Sequence, residues 1–166
     1  GLGKQGKQVA KFGKAFGMKV IAWSHNLKKE DCEKVDVEYV SLNQLFSLSD
    51  ILTVHTRLSD RTRGFIDKKK FKMMKKEAVI VNTSRGPIIK EHDLIDALNN
   101  GLISFAALDV YDQEPLPNNH ILRKTKNTLL TPHIGYVSNE TYEKFFNGYL
   151  IAIEAFLVKK PINLIN

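Results

Sequence analysis

Arg85, Glu114 and His133 bring a guanidinium, a carboxylate and an imidazole to three separate stretches of the sequence. Each stretch follows the carboxyl end of a predicted strand, and open α/β sheets bind their ligands at that edge. A planar guanidinium binds a carboxylate through two parallel hydrogen bonds, and a nearby imidazolium neutralises negative charge that develops on an oxygen. Taken singly, the three residues are equally typical of a surface arginine, a turn glutamate before proline and a hydrogen-bonded histidine.

Helices and strands alternate along the chain and explain this placement. Apolar residues at helical spacing, with stops at Gly17 and Gly101, alternate with short apolar runs. The predicted helices span 4–16, 42–48, 67–76 and 91–100, and the predicted strands span 18–23, 51–55, 78–83, 105–110 and 128–130. Right-handed crossovers join such strands into a parallel sheet. We therefore expect an α/β fold, a doubly wound parallel sheet of the Rossmann-like kind in three α/β/α layers.

A long helix is predicted to close the chain. Ser138 is a favourable N-cap residue, and the apolar residues after it fall on one stripe of the helix. We expect this stripe to belong to the core. Its members are Tyr142, Phe145, Phe146, Tyr149, Ile153 and Phe156.

Gly1, Gly3 and Gly6 fit the pattern G-x-G-x-x-G at the start of a predicted helix. Such glycines permit a tight turn and a close approach of the backbone to a pyrophosphate, whose charge faces the helix N-terminus. A glycine-rich chain end is the ordinary alternative. The strand that precedes this loop in a Rossmann sheet is missing, so we expect residues 1–166 to be a dinucleotide-binding domain that is incomplete at its N-terminus.

Ser24 lies where a Rossmann protein that prefers NAD places an acidic residue on the adenosine ribose, about twenty residues after the glycine loop. A neutral hydroxyl does not repel a 2′-phosphate, and Lys28 and Lys29 follow closely. These lysines are also typical of a solvated surface. The sequence leaves both NAD and NADP open as the cofactor.

The blocks at 81–86, 107–116 and 130–135, in this order and spacing, resemble the NAD(P)-binding domain of the D-isomer-specific 2-hydroxyacid dehydrogenase family. The resemblance extends from the glycine loop to Lys160. It implies that Arg85 binds the substrate carboxylate and keto oxygen, and that His133 is the proton donor and acceptor. It also implies that Glu114 holds and polarises His133.

The same resemblance implies further cofactor contacts. Lys4 and Gln5 offer their backbone to the pyrophosphate, whereas Arg57 departs from the proline or small apolar residue that is common at its position. The remaining implied contacts are Thr83, Ser84 and Asp109 on the nicotinamide side, Thr56, Arg57 and Thr62 beside the adenosine, and Gly135.

The expected function is hydride transfer between NAD(P)H and a small-molecule 2-oxo or 2-hydroxy acid of D configuration. The resemblance implies a homodimer and a separate substrate domain, which is absent from this chain. One alternative is an NAD(H)-sensing, corepressor-like binding protein on the same fold. Turnover of 2-oxo acids would distinguish the enzyme from that alternative.

Charge and composition bear on the other classes of function. The net charge of +7 comes largely from scattered lysines, which lack the focused patch and reading helix of a nucleic-acid-binding surface. No apolar run approaches the ~18 residues of a membrane span. Cys32 is the single cysteine, and nothing near it has metal-ligand spacing. We therefore expect no nucleic acid, membrane or metal partner, and a cytoplasmic fragment of a longer protein.

Overall fold

The computed structural model describes residues 1–164, which contain six strands and six α-helices. The strands are β1 (Ile21–Ala22), β2 (Glu38–Tyr39), β3 (Ile51–Val54), β4 (Val79–Asn82), β5 (Phe105–Leu108) and β6 (Thr128–Leu130). The α-helices are α1 (Lys4–Ala15), α2 (Lys29–Glu33), α3 (Leu42–Leu48), α4 (Lys68–Phe71), α5 (Glu91–Asn99) and α6 (Asn139–Leu157). Two 3-10 helices, Gly86–Ile88 and Ile121–Lys124, follow β4 and precede β6.

All the strand pairs are parallel. β3, β4, β5 and β6 form a four-stranded sheet in that order, in which Thr53, Val81 and Ala107 lie side by side. β1 and β2 form a separate two-stranded sheet. Because helices separate successive parallel strands, the expectation of an α/β, Rossmann-like fold is confirmed.

A cleft of about 90 Å³ lies between the two sheets. Residues of β1 and of β3 line it, and no strand ladder within residues 1–164 joins the two sheets. The first strand of a doubly wound Rossmann sheet lies at this place, between the second and the fourth.

The main core packs helices against the four-stranded sheet. Ile80 of β4, Phe46 of α3, Phe71 of α4 and Leu94 of α5 are all at most 2% exposed and belong to one cluster. Burial of each such side chain contributes about 1.5–3 kcal/mol. This packing holds β4, β5 and β6 in register. Arg85, Glu114 and His133 follow these three strands.

Several predicted boundaries differ from the structure. Predicted strand 18–23 is reduced to β1, because only these residues pair with β2. Predicted helix 67–76 is reduced to α4, whose N-cap Asp67 accepts from the Lys69 and Lys70 backbone N–H groups. The sequence prediction also omitted α2 and β2, which are too short to show a hydrophobic period.

The chain divides into two compact units, Gly1–His133 and a second unit that begins at Ile134. In the second unit the predicted N-cap is confirmed, since the Ser138 hydroxyl accepts from the Thr141 backbone N–H. The prediction that the α6 stripe belongs to the core is wrong: Phe146 is 65% exposed and Phe156 is 70% exposed. In residues 134–164 this unit has no second helix or strand that could cover the stripe. No helix in residues 1–164 has the length and apolar character needed to cross a bilayer.

Candidate active site

His133 and Glu114 form a hydrogen bond after the ends of β6 and β5. His133 Nδ1 lies 2.5 Å from Glu114 Oε2, and the two side chains are 35% and 33% exposed. His133 has a φ of 56°, a left-handed conformation that histidine adopts more readily than most residues. The tight turn after Leu130 therefore presents the imidazole to Glu114 while one third of the ring surface stays accessible.

Both carboxylate oxygens of Glu114 are used. The Tyr111 backbone N–H donates to Oε1 at 2.9 Å, while Oε2 contacts His133. Burial alone raises the pKa of Glu114, but these hydrogen bonds and the charges of His133 and Arg85 lower it below its ordinary value. The carboxylate is therefore ionised at neutral pH, so it accepts a hydrogen bond from His133 Nδ1.

Arg85 lies in the turn that follows β4, with its side chain exposed to solvent. Its Nη1 donates to the Ser84 carbonyl oxygen at 2.5 Å, and its charge acts on Glu114. The buried Asn82 side chain shapes this turn: its Nδ2 donates to the Arg85 carbonyl at 3.0 Å, and its Oδ1 accepts from the Ser84 N–H at 3.0 Å. The fold thus brings together the three residues predicted to be catalytic.

Gly86 allows the Arg85 turn to touch the segment that carries Glu114. A Cβ at this position would overlap the Tyr111 carbonyl group and lie 2.6 Å from the Asp112 nitrogen. Only glycine permits such a close approach of two backbones.

Asp109 and Thr131 tie the ends of β5 and β6 together. The Thr131 hydroxyl donates to Asp109 Oδ1 at 2.5 Å, and Asp109 is 6% exposed. The Tyr111 hydroxyl adds a hydrogen bond to the Thr131 carbonyl oxygen at 2.8 Å. The position of His133 therefore depends on a rigid edge of the sheet.

A second cavity of about 350 Å³, which we call the nucleotide cavity, opens beside the glycine loop. Six of the predicted cofactor residues line it: Gly1, Gly3, Ser24, Thr56, Arg57 and Thr62. The sequence prediction missed further lining residues, among them His25, Asn26, Ser59 and Arg61. Of these residues, Arg61 could have been predicted from the sequence, because it is adjacent to the predicted cofactor residue Thr62.

The other predicted cofactor residues lie elsewhere. Lys4 and Gln5 form the first turn of α1, and Gly6 supports the loop because a Cβ there would overlap the Gly1 carbonyl oxygen. The Ser84 hydroxyl donates to the Thr56 carbonyl oxygen at 2.5 Å, which connects the Arg85 turn to the wall of the nucleotide cavity. Thr83 and Asp109 lie at the ends of β4 and β5, and Gly135 lies in the second unit.

Thr62 is more than a lining residue. Its hydroxyl donates to the Arg57 carbonyl oxygen at 2.7 Å and accepts from the Ser59 N–H at 2.8 Å. Thr62 therefore fixes the loop that presents Arg57 and Arg61 to the cavity.

The nucleotide cavity suits an anionic dinucleotide. Gly3, the N-cap of α1, provides no side-chain hydrogen bond to the helix, and the first turn contains no acidic residue. The backbone N–H groups at the start of α1 therefore favour binding of an anionic group. Gly3 also has open space around its Cα, which lets a ligand approach the backbone. None of the lining residues, all within the described residues, is acidic. No group of potential metal ligands occurs within residues 1–164.

The sequence profile of the D-isomer specific 2-hydroxyacid dehydrogenase, NAD binding domain, matches residues 1–135. The chain belongs to this family. It is 42% identical to a glyoxylate reductase of Aeropyrum pernix, and the alignment covers the whole chain and 50% of the length of that relative. A hydroxypyruvate reductase of Blautia hydrogenotrophica is 37% identical over the whole chain and 51% of its own length. The chain thus spans about half the length of the curated relatives that it matches.

Solved structures of the family agree with this assignment. An oxidoreductase from Ralstonia solanacearum superposes on the whole chain with a TM-score of 0.94 at 39% identity, over 49% of its own length. A D-lactate dehydrogenase from Lactobacillus jensenii with NAD⁺ gives a TM-score of 0.84 at 26% identity, and the match covers 100% of this chain and 53% of that enzyme. An acyclic imino acid reductase in complex with NADPH and D-Arg gives a TM-score of 0.79 at 30% identity. This match covers 100% of this chain and 52% of the reductase. The structural neighbours of this chain therefore include complexes with NAD⁺ and with NADPH.

Proposed function

We propose that this chain binds NAD(P) and supplies the acid/base machinery for the reversible reduction of a 2-oxo acid to a D-2-hydroxy acid. The observation that carries the proposal is the Glu114–His133 pair at 2.5 Å, beside Arg85 at the carboxyl edge of the parallel sheet. The named activities of the two curated relatives, on glyoxylate and hydroxypyruvate, support a small 2-oxo acid as the substrate.

The residues that line the nucleotide cavity would hold the cofactor, which would supply hydride for the keto carbon when bound. His133 Nδ1 faces Glu114, so His133 Nε2 carries the proton that goes to the keto oxygen during reduction. Glu114 fixes the ring orientation and stabilises the imidazolium before the proton leaves. The Arg85 guanidinium binds the substrate carboxylate through two hydrogen bonds, which orients the 2-carbon for the transfer. In the oxidative direction, the neutral His133 accepts the hydroxyl proton.

The residues present fit NADPH as well as NADH. Ser24 carries no charge to repel a 2′-phosphate, and the nucleotide cavity contains Arg57 and Arg61 but no carboxylate. We therefore infer that the protein discriminates weakly between the two cofactors or favours NADPH.

The test is turnover by the full-length protein with a panel of 2-oxo acids that includes glyoxylate and hydroxypyruvate, with NADH and NADPH in turn. Steady reduction to the D-2-hydroxy acid supports the proposal. Cofactor binding without turnover of any member of the panel would contradict it and would favour a nucleotide-sensing binding protein.

A further inference from the structure

Tyr111 contacts the segments of both Glu114 and His133, and it is 5% exposed. Its backbone N–H donates to Glu114 Oε1 at 2.9 Å. Its side-chain hydroxyl donates to the Thr131 carbonyl oxygen at 2.8 Å, and Thr131 precedes His133 by two residues. One buried residue therefore holds the segments of both members of the pair, one through its backbone and the other through its side chain.

The Thr131 carbonyl oxygen closes the turn that presents His133. The His133 backbone N–H donates to this oxygen at 3.1 Å, and His133 has a φ of 56°. The Tyr111 hydroxyl donates to the same oxygen. The tyrosine side chain therefore fixes the acceptor on which the turn closes, and with it the direction in which the imidazole leaves the backbone.

The Tyr111 hydroxyl is a donor at the end of the β5–β6 ladder. Burial and the Asp109 carboxylate raise the pKa of Tyr111, so its oxygen keeps the proton throughout the neutral range. A second acceptor, the carbonyl oxygen of Leu108 at the end of β5, lies 3.1 Å from the hydroxyl. This carbonyl also accepts from the Thr131 N–H at 3.0 Å. The hydroxyl therefore joins the last residue of β5 to the residue that follows β6.

Removal of this hydroxyl leaves both of its acceptors with another donor. The Leu108 carbonyl keeps the Thr131 N–H, and the Thr131 carbonyl keeps the His133 N–H. Neither carbonyl is left without a hydrogen bond, and a phenyl ring fills the space of the tyrosine ring. Tyr111→Phe is therefore expected to fold, so the hydroxyl can be tested by itself.

We propose that Tyr111 is a positioning residue, which keeps His133 aligned with Glu114 by holding the Thr131 carbonyl with its hydroxyl and the Glu114 carboxylate with its backbone N–H. The inference rests on the proposed function, because it concerns the acid/base pair of that reaction. Tyr111 acts through Thr131 and Glu114, and not on the reacting atoms. Displacement of a catalytic group by about 1 Å costs on the order of 100-fold in rate, so even a smaller shift of the imidazole has a measurable effect.

The first test follows the His133 ring by proton NMR in the full-length protein. The Nδ1–H that faces the Glu114 carboxylate should give a deshielded resonance, which is assigned by its loss in His133→Ala. In Tyr111→Phe we expect this resonance to move upfield or to broaden through faster exchange with water, because the imidazole is no longer held in line with the carboxylate. Tyr39→Phe is the matched control, since Tyr39 lies on β2 of the other sheet and is exposed, and it should leave the resonance unchanged.

Kinetics separate a positioning role from a general loss of structure. In Tyr111→Phe we expect kcat for reduction to fall by about tenfold, and its pH profile to move in the same direction as that of Glu114→Gln. KM for the 2-oxo acid should stay unchanged, because the turn of Arg85 packs on the Tyr111 backbone, which the substitution retains. The cofactor Kd should also stay unchanged, since Tyr111 does not line the nucleotide cavity. A change in all three quantities would contradict the positioning role.

Tyr111→Leu, which lacks both the ring and the hydroxyl, separates packing from hydrogen bonding. If Tyr111→Phe keeps the wild-type resonance and kcat, the positioning role of the hydroxyl is overturned, and a loss of both in Tyr111→Leu would assign that role to the packed ring. The NMR measurement does not depend on turnover, so the two proposals fail in different ways. If the wild type reduces no 2-oxo acid, the proposed function fails, whereas the resonance still tests the contact of His133 with Glu114.

Discussion

The backbone of Gly86 packs directly on the carbonyl group of Tyr111, so closely that a Cβ at Gly86 would overlap it. This contact joins the turn of Arg85 to the residue whose N–H binds Glu114. The spacing between Arg85 and the Glu114–His133 pair is therefore set by two backbones in contact.

Gly86→Ala should separate these two segments. Overpacking of this kind costs about 1–3 kcal/mol of stability, and we expect kcat to fall by at least tenfold because Tyr111 no longer holds Glu114. Thermal unfolding and turnover of the full-length protein measure the two effects. Gly148→Ala is the control, since nothing lies within 4 Å of a Cβ in the middle of α6. An alanine at position 86 with wild-type kcat would show that the close approach is unimportant for catalysis.

Arg85→Ala should raise KM for the 2-oxo acid and lower kcat together, because the guanidinium both binds and orients the substrate. Arg85→Lys keeps the charge but loses the paired hydrogen bonds, so it should restore only part of the activity. The cofactor Kd should stay unchanged in both variants. An increase in KM alone would mean that Arg85 binds the substrate without orienting it.

Ser24→Asp should penalise NADPH. The new carboxylate repels a 2′-phosphate and can bind the ribose hydroxyl of NADH, so the ratio of kcat/KM for NADPH over NADH should fall by about tenfold or more. Ser24→Asn, which is polar and uncharged, is the matched control. A strong preference of the wild type for NADH would contradict our interpretation of the nucleotide cavity.

The cleft between β1 and β3 leads to a prediction of stability. We propose that an additional strand fills it in the longer protein, and that residues 1–166 alone are less stable and nearly inactive. A central strand buries several apolar side chains at about 1.5–3 kcal/mol each, against a total stability of about 5–15 kcal/mol. Thermal unfolding of the two forms measures the difference. Equal melting temperatures and activities would refute the proposal.

The sequence predicted those elements whose signals are local. α3 was predicted at its observed bounds, and in the structure a capping box formed by Ser41 and Gln44 fixes its start. The stops at Gly17 and Gly101 were also correct, since both residues have a positive φ. By contrast, β1 is defined by pairing with β2, and pairing between distant residues leaves no local pattern.

The candidate site shows the same division. Arg85, Glu114 and His133 were found because their blocks follow strand ends in a recognisable order. Asn82 was missed because its role depends on contacts made by the folded chain, in which its side chain binds both the Arg85 carbonyl oxygen and the Ser84 N–H. The stripe on α6 was misinterpreted because a hydrophobic period shows that a face is apolar without showing what covers it.

The pH dependence of Glu114→Gln in the full-length protein tests the central claim most directly. Reduction requires protonated His133, so its rate falls as pH rises, while the oxidative rate rises over the same range. The pKa of Glu114 lies below its ordinary value of 4.5, so the carboxylate is ionised above that pH and stabilises the imidazolium throughout the neutral range. Glutamine removes this charge and keeps a similar shape, so both profiles should move to lower pH. His133→Ala should reduce turnover by about 10²–10⁴-fold with cofactor binding retained. Unshifted profiles in Glu114→Gln, or near-normal rates in His133→Ala, would contradict the account.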